Sequence, residues 1–124
     1  KGINLIKCEN SNSNNILNKI NEYNIDWLFI IGWSQIASEK LLSIPNCGAL
    51  GIHPTLLPKG RGRAPIPWAI IKGLKKTGVT LFKLDRGIDT GMIGSQIKIP
   101  FQSVKHLKLC ILKLIMLIWI LLKM

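Results

Sequence analysis

Asp26-Trp27-Leu28-Phe29-Ile30-Ile31-Gly32 is the stretch that decides the fold. Five apolar residues in a row, aromatic and β-branched for the most part, are too few for a helix. An unbroken run of this length, bounded by Asp and Gly, predicts a strand buried on both faces, as in a parallel sheet. Upstream, residues 9–15 form a polar loop dense in Asn and Ser, suited to turns and to capping. Ile16, Leu17, Ile20 and Tyr23 then fall on one helical face, which predicts an amphipathic helix over residues 14–23. Before that loop, residues 3–8 read as a short strand. Downstream, Ser38 is placed to cap a short helix carrying Leu41 and Leu42, and Pro45-Asn46 stops it.

Residues 48–52 read as the next strand and 53–62 as a Pro/Gly-rich loop. A helix over residues 64–72 follows. Pro65 is tolerated in its first turn, while Pro67 sits deeper. Residues 79–84 and 93–99 are further strands. Strands alternating with helices predict an α/β fold: a Rossmann-like, mostly parallel sheet with right-handed connections and helices on both faces.

Bulk properties narrow the function. The 124 residues suffice for one core, and 48% apolar content with 6% aromatic fits a globular domain. Cys8, Cys47 and Cys110 make no paired framework, and none lies in a nucleophile motif. No metal-ligating set is read. The net charge of +11 would suit a nucleic acid, but the basic residues are scattered and four lysines belong to the last twenty residues. A solvated basic surface is the simpler reading, and an anionic substrate stays compatible with it. No signal peptide is readable, so a cytoplasmic location is expected; the start at Lys1 reads as truncated or internally initiated.

Two loops after predicted strands carry the candidate chemistry. The first runs Gly51-Ile52-His53-Pro54-Thr55-Leu56-Leu57-Pro58-Lys59-Gly60-Arg61-Gly62-Arg63-Ala64-Pro65-Ile66-Pro67-Trp68. The second is Thr77-Gly78-Val79-Thr80-Leu81-Phe82 through Asp85-Arg86-Gly87-Ile88-Asp89-Thr90-Gly91. Ligands of open α/β sheets bind at the carboxyl ends of strands, where His53 would sit and a folded-back Asp89 loop could meet it. Singly these signals are weak: a histidine at a strand end is more often structural, and an Asp-x-Gly-x-Asp loop is usually a turn.

Together, in this order, residues 27–96 resemble the catalytic domain of the folate-dependent formyltransferases, among them the methionyl-tRNA, glycinamide ribonucleotide and sugar-nucleotide enzymes. His53-Pro54-Thr55-Leu56-Leu57-Pro58 is similar to that family's His-x-Ser-Leu-Leu-Pro, and Asp89-Thr90-Gly91 to its aspartate loop. The resemblance implies transfer of a formyl group from 10-formyltetrahydrofolate, as co-substrate, to an amine. By the same resemblance His53 would polarise the formyl oxygen, and Asp89 would orient His53 and move protons. Folate would lie along Gln35 and Ile36 and against the backbone of Gly87 and Ile88. One position departs: the family has Asn-x-His where this chain has Gly51-Ile52-His53. An oxyanion donor is therefore missing, a loss worth about a hundred- to a thousandfold in rate unless a group such as Gln35 replaces it. Arg63-Ala64-Pro65-Ile66-Pro67-Trp68 looks closer to the sugar-nucleotide enzymes, which makes the amine of a sugar nucleotide or similar small molecule the expected acceptor and aminoacyl-tRNA the alternative. An inactive folate-binding remnant is the reading from outside the enzymes.

From residue 105 the composition turns to Leu, Ile and Lys without Gly, Pro, Asp or Glu. The longest apolar run is far below the ~20 residues a membrane span needs, so no membrane partner is expected. Back-translated and read one nucleotide earlier, residues 105–123 permit Glu-Thr-Ser-Lys-Thr-Leu-Tyr-Thr-Lys-Ile-Asn-Tyr-Ala-His-Met-Asp-Leu-Ile-Lys, with the Asp forced by Trp119-Ile120. That string is an amphipathic helix. The expected organisation is thus a partial catalytic domain over residues 1–104, incomplete at both ends, and a frameshifted tail over 105–124.

Overall fold

The computed structural model describes residues 4–100. The tail reading lies outside them. The described chain runs α1 (Asn14–Glu22), β1 (Trp27–Ile31), α2 (Glu39–Leu42), β2 (Gly48–His53), α3 (Pro65–Ile71), β3 (Lys76–Lys83) and β4 (Ile93–Pro100). Local chemistry accounts for most of these bounds. Leu17 is the buried residue of α1, with Ile16 and Ile20 half-buried on the same side. Ser38 caps α2 as expected, its hydroxyl accepting from the Leu41 N–H at 3.2 Å. In α3, Pro65 and Pro67 both fall in the first turn, where N–H groups have no intrahelical partner, so neither costs a helical hydrogen bond.

The strands form one sheet in the order β1-β2-β3-β4. The α/β fold takes the form of a mixed sheet: β1 and β2 are parallel, while β2–β3 and β3–β4 are antiparallel. The helical crossover through α2 makes the first pair parallel. The short loop after β3 can only return the chain antiparallel, and β3 itself runs back against β2.

Two strand expectations are corrected. The described part of the first segment, residues 4–8, lies outside the sheet, and its apolar residues stay wet; Leu5 is 83% exposed. β1 is half-buried rather than buried on both faces, because it is a terminal strand with one partner among the described residues.

Pleating sorts the sheet into two faces. One carries Val79 and Ile99, with Phe29, Ile52, Leu81, Ile97 and Ile66 of α3 packed against them. Alternation in β2 turns Ala49, Gly51 and His53 to the opposite face, and the register sets His53 beside Thr80 and Gly51 beside Phe82. That second face builds the site.

Candidate active site

His53 ends β2 and is only 8% exposed. Its Nε2 lies 2.8 Å from the Gly60 carbonyl. A carbonyl can only accept, so Nε2 carries the hydrogen in this contact. Nδ1 faces Asp89, 3.6 Å from Oδ2, slightly beyond hydrogen-bond length.

Asp89 is delivered by the loop between β3 and β4. Asp85 shapes that loop: its Oδ1 accepts from the Gly87 N–H at 3.0 Å and the Thr90 hydroxyl at 2.6 Å. Gly91 is required for lack of space, since a Cβ there would run into the Lys83 carbonyl. Asp89 itself has φ +52°, in the left-handed region that Asp tolerates better than most residues. The loop after β2 then grips it. The Gly62 N–H donates to Asp89 Oδ2 at 2.8 Å and the Arg61 Nε–H to the Asp89 carbonyl at 2.9 Å. A charge-assisted bond to the carboxylate is the stronger kind.

Beneath His53, fully buried Thr80 anchors the start of the same loop. Its hydroxyl donates to the Thr55 carbonyl at 2.6 Å and accepts from the Leu57 N–H at 3.2 Å and from Gln96 Nε2 at 2.9 Å. Gln96 also donates to the Leu57 carbonyl at 2.7 Å. Every polar group around this hydroxyl is thereby satisfied.

His53 and Asp89 open onto a cleft of about 150 Å³, and Gln35, Ile36, Gly87 and Ile88 all line it. The six positions expected from sequence thus share one cavity. Ile36 and Ile88 are largely exposed, each from its own loop, and provide apolar surface at the cleft. Two details bear on the missing oxyanion donor. The Gln35 amide donates one of its two N–H groups to the Glu9 carbonyl at 2.7 Å, which fixes the side chain and leaves the second N–H to donate. Gly51 also lines the cleft, but a Cβ on it would stand 3.0 Å from Phe82 Cε1 and from Leu84 Cδ2. A side chain there would press on both, and each would have to give by a few tenths of an ångström.

Arg61, Gly62 and Thr80 were not singled out by sequence reasoning. Arg61 and Gly62 stand in the quoted loop, but their bonds cross to a segment 28 and 27 positions away. No local signal marks such a contact. Thr80 looks like any β-branched strand residue until its register opposite His53 is known.

A sheet of this topology with a strand-end histidine and a loop aspartate is the arrangement that the formyltransferase resemblance implies. Residues 4–107 match the profile of the Formyl transferase family, and the chain belongs to that family. Among curated proteins it is similar to the methionyl-tRNA formyltransferase of Caldanaerobacter subterraneus subsp. tengcongensis, 39% identical over 73% of this chain and 30% of that protein. The methionyl-tRNA formyltransferase of Thermodesulfovibrio yellowstonii is also 39% identical, over 82% of this chain and 33% of its own length. The chain therefore spans about a third of these relatives. Among solved structures, phosphoribosylglycinamide formyltransferase from Bacillus halodurans superposes with a TM-score of 0.66 at 30% identity, covering 80% of this chain and 51% of that one. Among the described residues no helix is long and apolar enough to cross a membrane.

Proposed function

We propose that this chain carries the formyl-transfer site of an enzyme that moves a formyl group from 10-formyltetrahydrofolate to a primary amine. The observation behind this reading is the approach of His53 Nδ1 to Asp89 Oδ2, 3.6 Å apart in one cleft. In the reaction the amine lone pair attacks the formyl carbon and the carbonyl electrons move to oxygen. Collapse of that tetrahedral adduct breaks the bond to folate nitrogen, which leaves as the amine of tetrahydrofolate. One proton leaves the attacking nitrogen and one reaches the departing nitrogen. A histidine N–H suits the developing oxyanion. To serve there, Nε2–H exchanges its bond to Gly60 for one to the formyl oxygen. Asp89 Oδ2 is held by Gly62, which leaves Oδ1 as the oxygen to exchange protons with the amine, directly or through water. Folate would rest on Ile36 and Ile88 with its polar edge toward Gln35 and Gly87.

For the acceptor, the names of the relatives favour the amine of a methionyl-tRNA over that of the sugar nucleotide or similar small molecule expected from residues 63–68. The purified chain, incubated with 10-formyltetrahydrofolate and either methionyl-tRNA or an amino-sugar nucleotide, should release tetrahydrofolate with one acceptor and leave the other unchanged. Folate binding without transfer to any amine would instead support the inactive remnant.

A further inference from the structure

Behind the His53 loop lies a second and larger hollow, of about 780 Å³. Lys59, Arg61, Arg63, Lys72 and Lys76 line it together with Trp68, and no acidic side chain does so among the described residues. None of the five cations is ion-paired among the described residues. Trp68 is 53% exposed and has the Lys72 ammonium 5.8 Å from its ring centroid. Five like charges thus line one concavity beside a largely exposed indole.

We infer that this hollow is the subsite for the nucleotide phosphates of the amine acceptor, with Trp68 as the platform for a base. The inference rests on the formyl-transfer reading, because only the Gly60–Arg61 stretch separates the hollow from the cleft of His53 and Asp89. Gly60 lines the hollow while its carbonyl holds His53, and Arg61 lines it while its Nε–H holds Asp89. A ligand seated on the cations has to pass the edge of Gly60 and Arg61 for its amine to meet His53 and Asp89, which an extended strand can do. An exposed aromatic beside a cationic groove is the combination that binds unpaired nucleotides: stacking accepts any base, and the cations follow the phosphates. Their number bears on the source. A nucleoside diphosphate offers two phosphates, whereas a single-stranded RNA end offers one per nucleotide, so five cations match a strand better.

The test is fluorescence anisotropy of the whole chain with a labelled single-stranded RNA oligonucleotide, with UDP as competitor, over a range of salt. On a single strand each phosphate neutralised contributes about −0.7 to the slope of log K against log salt. Lys72→Glu/Lys76→Glu should flatten the slope by about 1.4 and weaken binding at least tenfold. Trp68→Ala should weaken it roughly tenfold, with Trp68→Phe restoring most of the loss. Lys7→Glu/Lys19→Glu removes the same charge away from the hollow and should change binding less than threefold. Equal losses in the two charge-reversed variants, or none in Trp68→Ala, would overturn the subsite and leave a diffuse basic surface. UDP competing as well as the oligonucleotide assigns the subsite to a nucleoside diphosphate; weak competition assigns it to a strand, and either outcome supports it. Binding needs no formyl donor, so a chain that binds RNA through these residues yet never transfers formyl sinks the catalytic reading alone. Transfer unaffected by all these variants sinks the subsite alone.

Discussion

Phe82 crowds the space that a side chain at Gly51 would enter. The two are register partners across β2 and β3, and the ring edge comes within 3.0 Å of where a Cβ would stand. An aromatic covering a strand glycine recovers packing that the glycine forfeits. Together with Leu84 it also narrows the position from which an asparagine would reach the cleft. Gly51→Asn should therefore overpack, costing about 1–3 kcal/mol of stability, and should not raise the transfer rate. Gly51→Asn/Phe82→Leu should regain much of that stability, and only there could the new amide help catalysis. Urea melts of the two variants beside their turnover numbers check this. A faster, fully stable single variant would show that Phe82 yields freely.

Thr80, the partner of His53 across β2 and β3, bears on its geometry through the loop that it anchors. Thr80→Val keeps the shape but removes the hydroxyl, stranding the Thr55 carbonyl, the Leu57 N–H and one Gln96 donor. An unsatisfied buried group costs about 1–3 kcal/mol, so the midpoint of chemical denaturation should fall by at least that much. Amide exchange should quicken across residues 55–60. Thr80→Ser should retain most of the stability. A valine variant as stable as the parent would mean that the loop is held by its own packing.

The two elements easiest to read from sequence were β1, from its apolar run, and α2, from Ser38 and Pro45. Composition alone fixes such elements. What stayed hidden was relational. Residues 4–8 are as apolar as a strand, yet a strand exists only through its partner, and none pairs with them among the described residues. The β2–β3 pairing is antiparallel because of how the chain passes through α3, which no local pattern encodes. In the site, His53 and Asp89 were legible through the motifs around them. Gly62 and Arg61 were not, because their importance lies in bonds to a loop 27 or 28 positions distant. Gly51 was recognised as an absence; that Phe82 crowds its place required the register.

Arg61 joins the Asp89 loop to the basic hollow, and its two ends can be tested separately. Arg61→Lys keeps the charge but lacks the Nε–H that holds the Asp89 carbonyl. Because the side chain is exposed, the stability change should stay below about 1 kcal/mol. Turnover should fall several-fold as Asp89 loses part of its grip, while RNA binding stays close to that of the parent. Arg61→Ala should lower both. Unchanged turnover in the lysine variant would mean that the Gly62 bond alone positions Asp89.

His53 and Asp89 should act as one unit, and a double-mutant cycle measures it. His53→Ala removes the proposed oxyanion donor and also frees the Gly60 carbonyl. Asp89→Asn keeps an amide oxygen to accept from Gly62, so the loop clamp survives while the charge facing His53 is lost. Its stability should therefore stay within about 1 kcal/mol of the parent. Loss of general acid–base help typically costs about a hundred- to ten-thousandfold, and each variant should lose turnover in that range with folate affinity nearly intact. Groups that act together lose their function together, so the double variant should be scarcely slower than the worse single one. Multiplying losses would separate the two residues into independent contributors. Full activity in His53→Ala would remove the histidine from the mechanism altogether, and the cleft would then be better described as a folate-binding remnant.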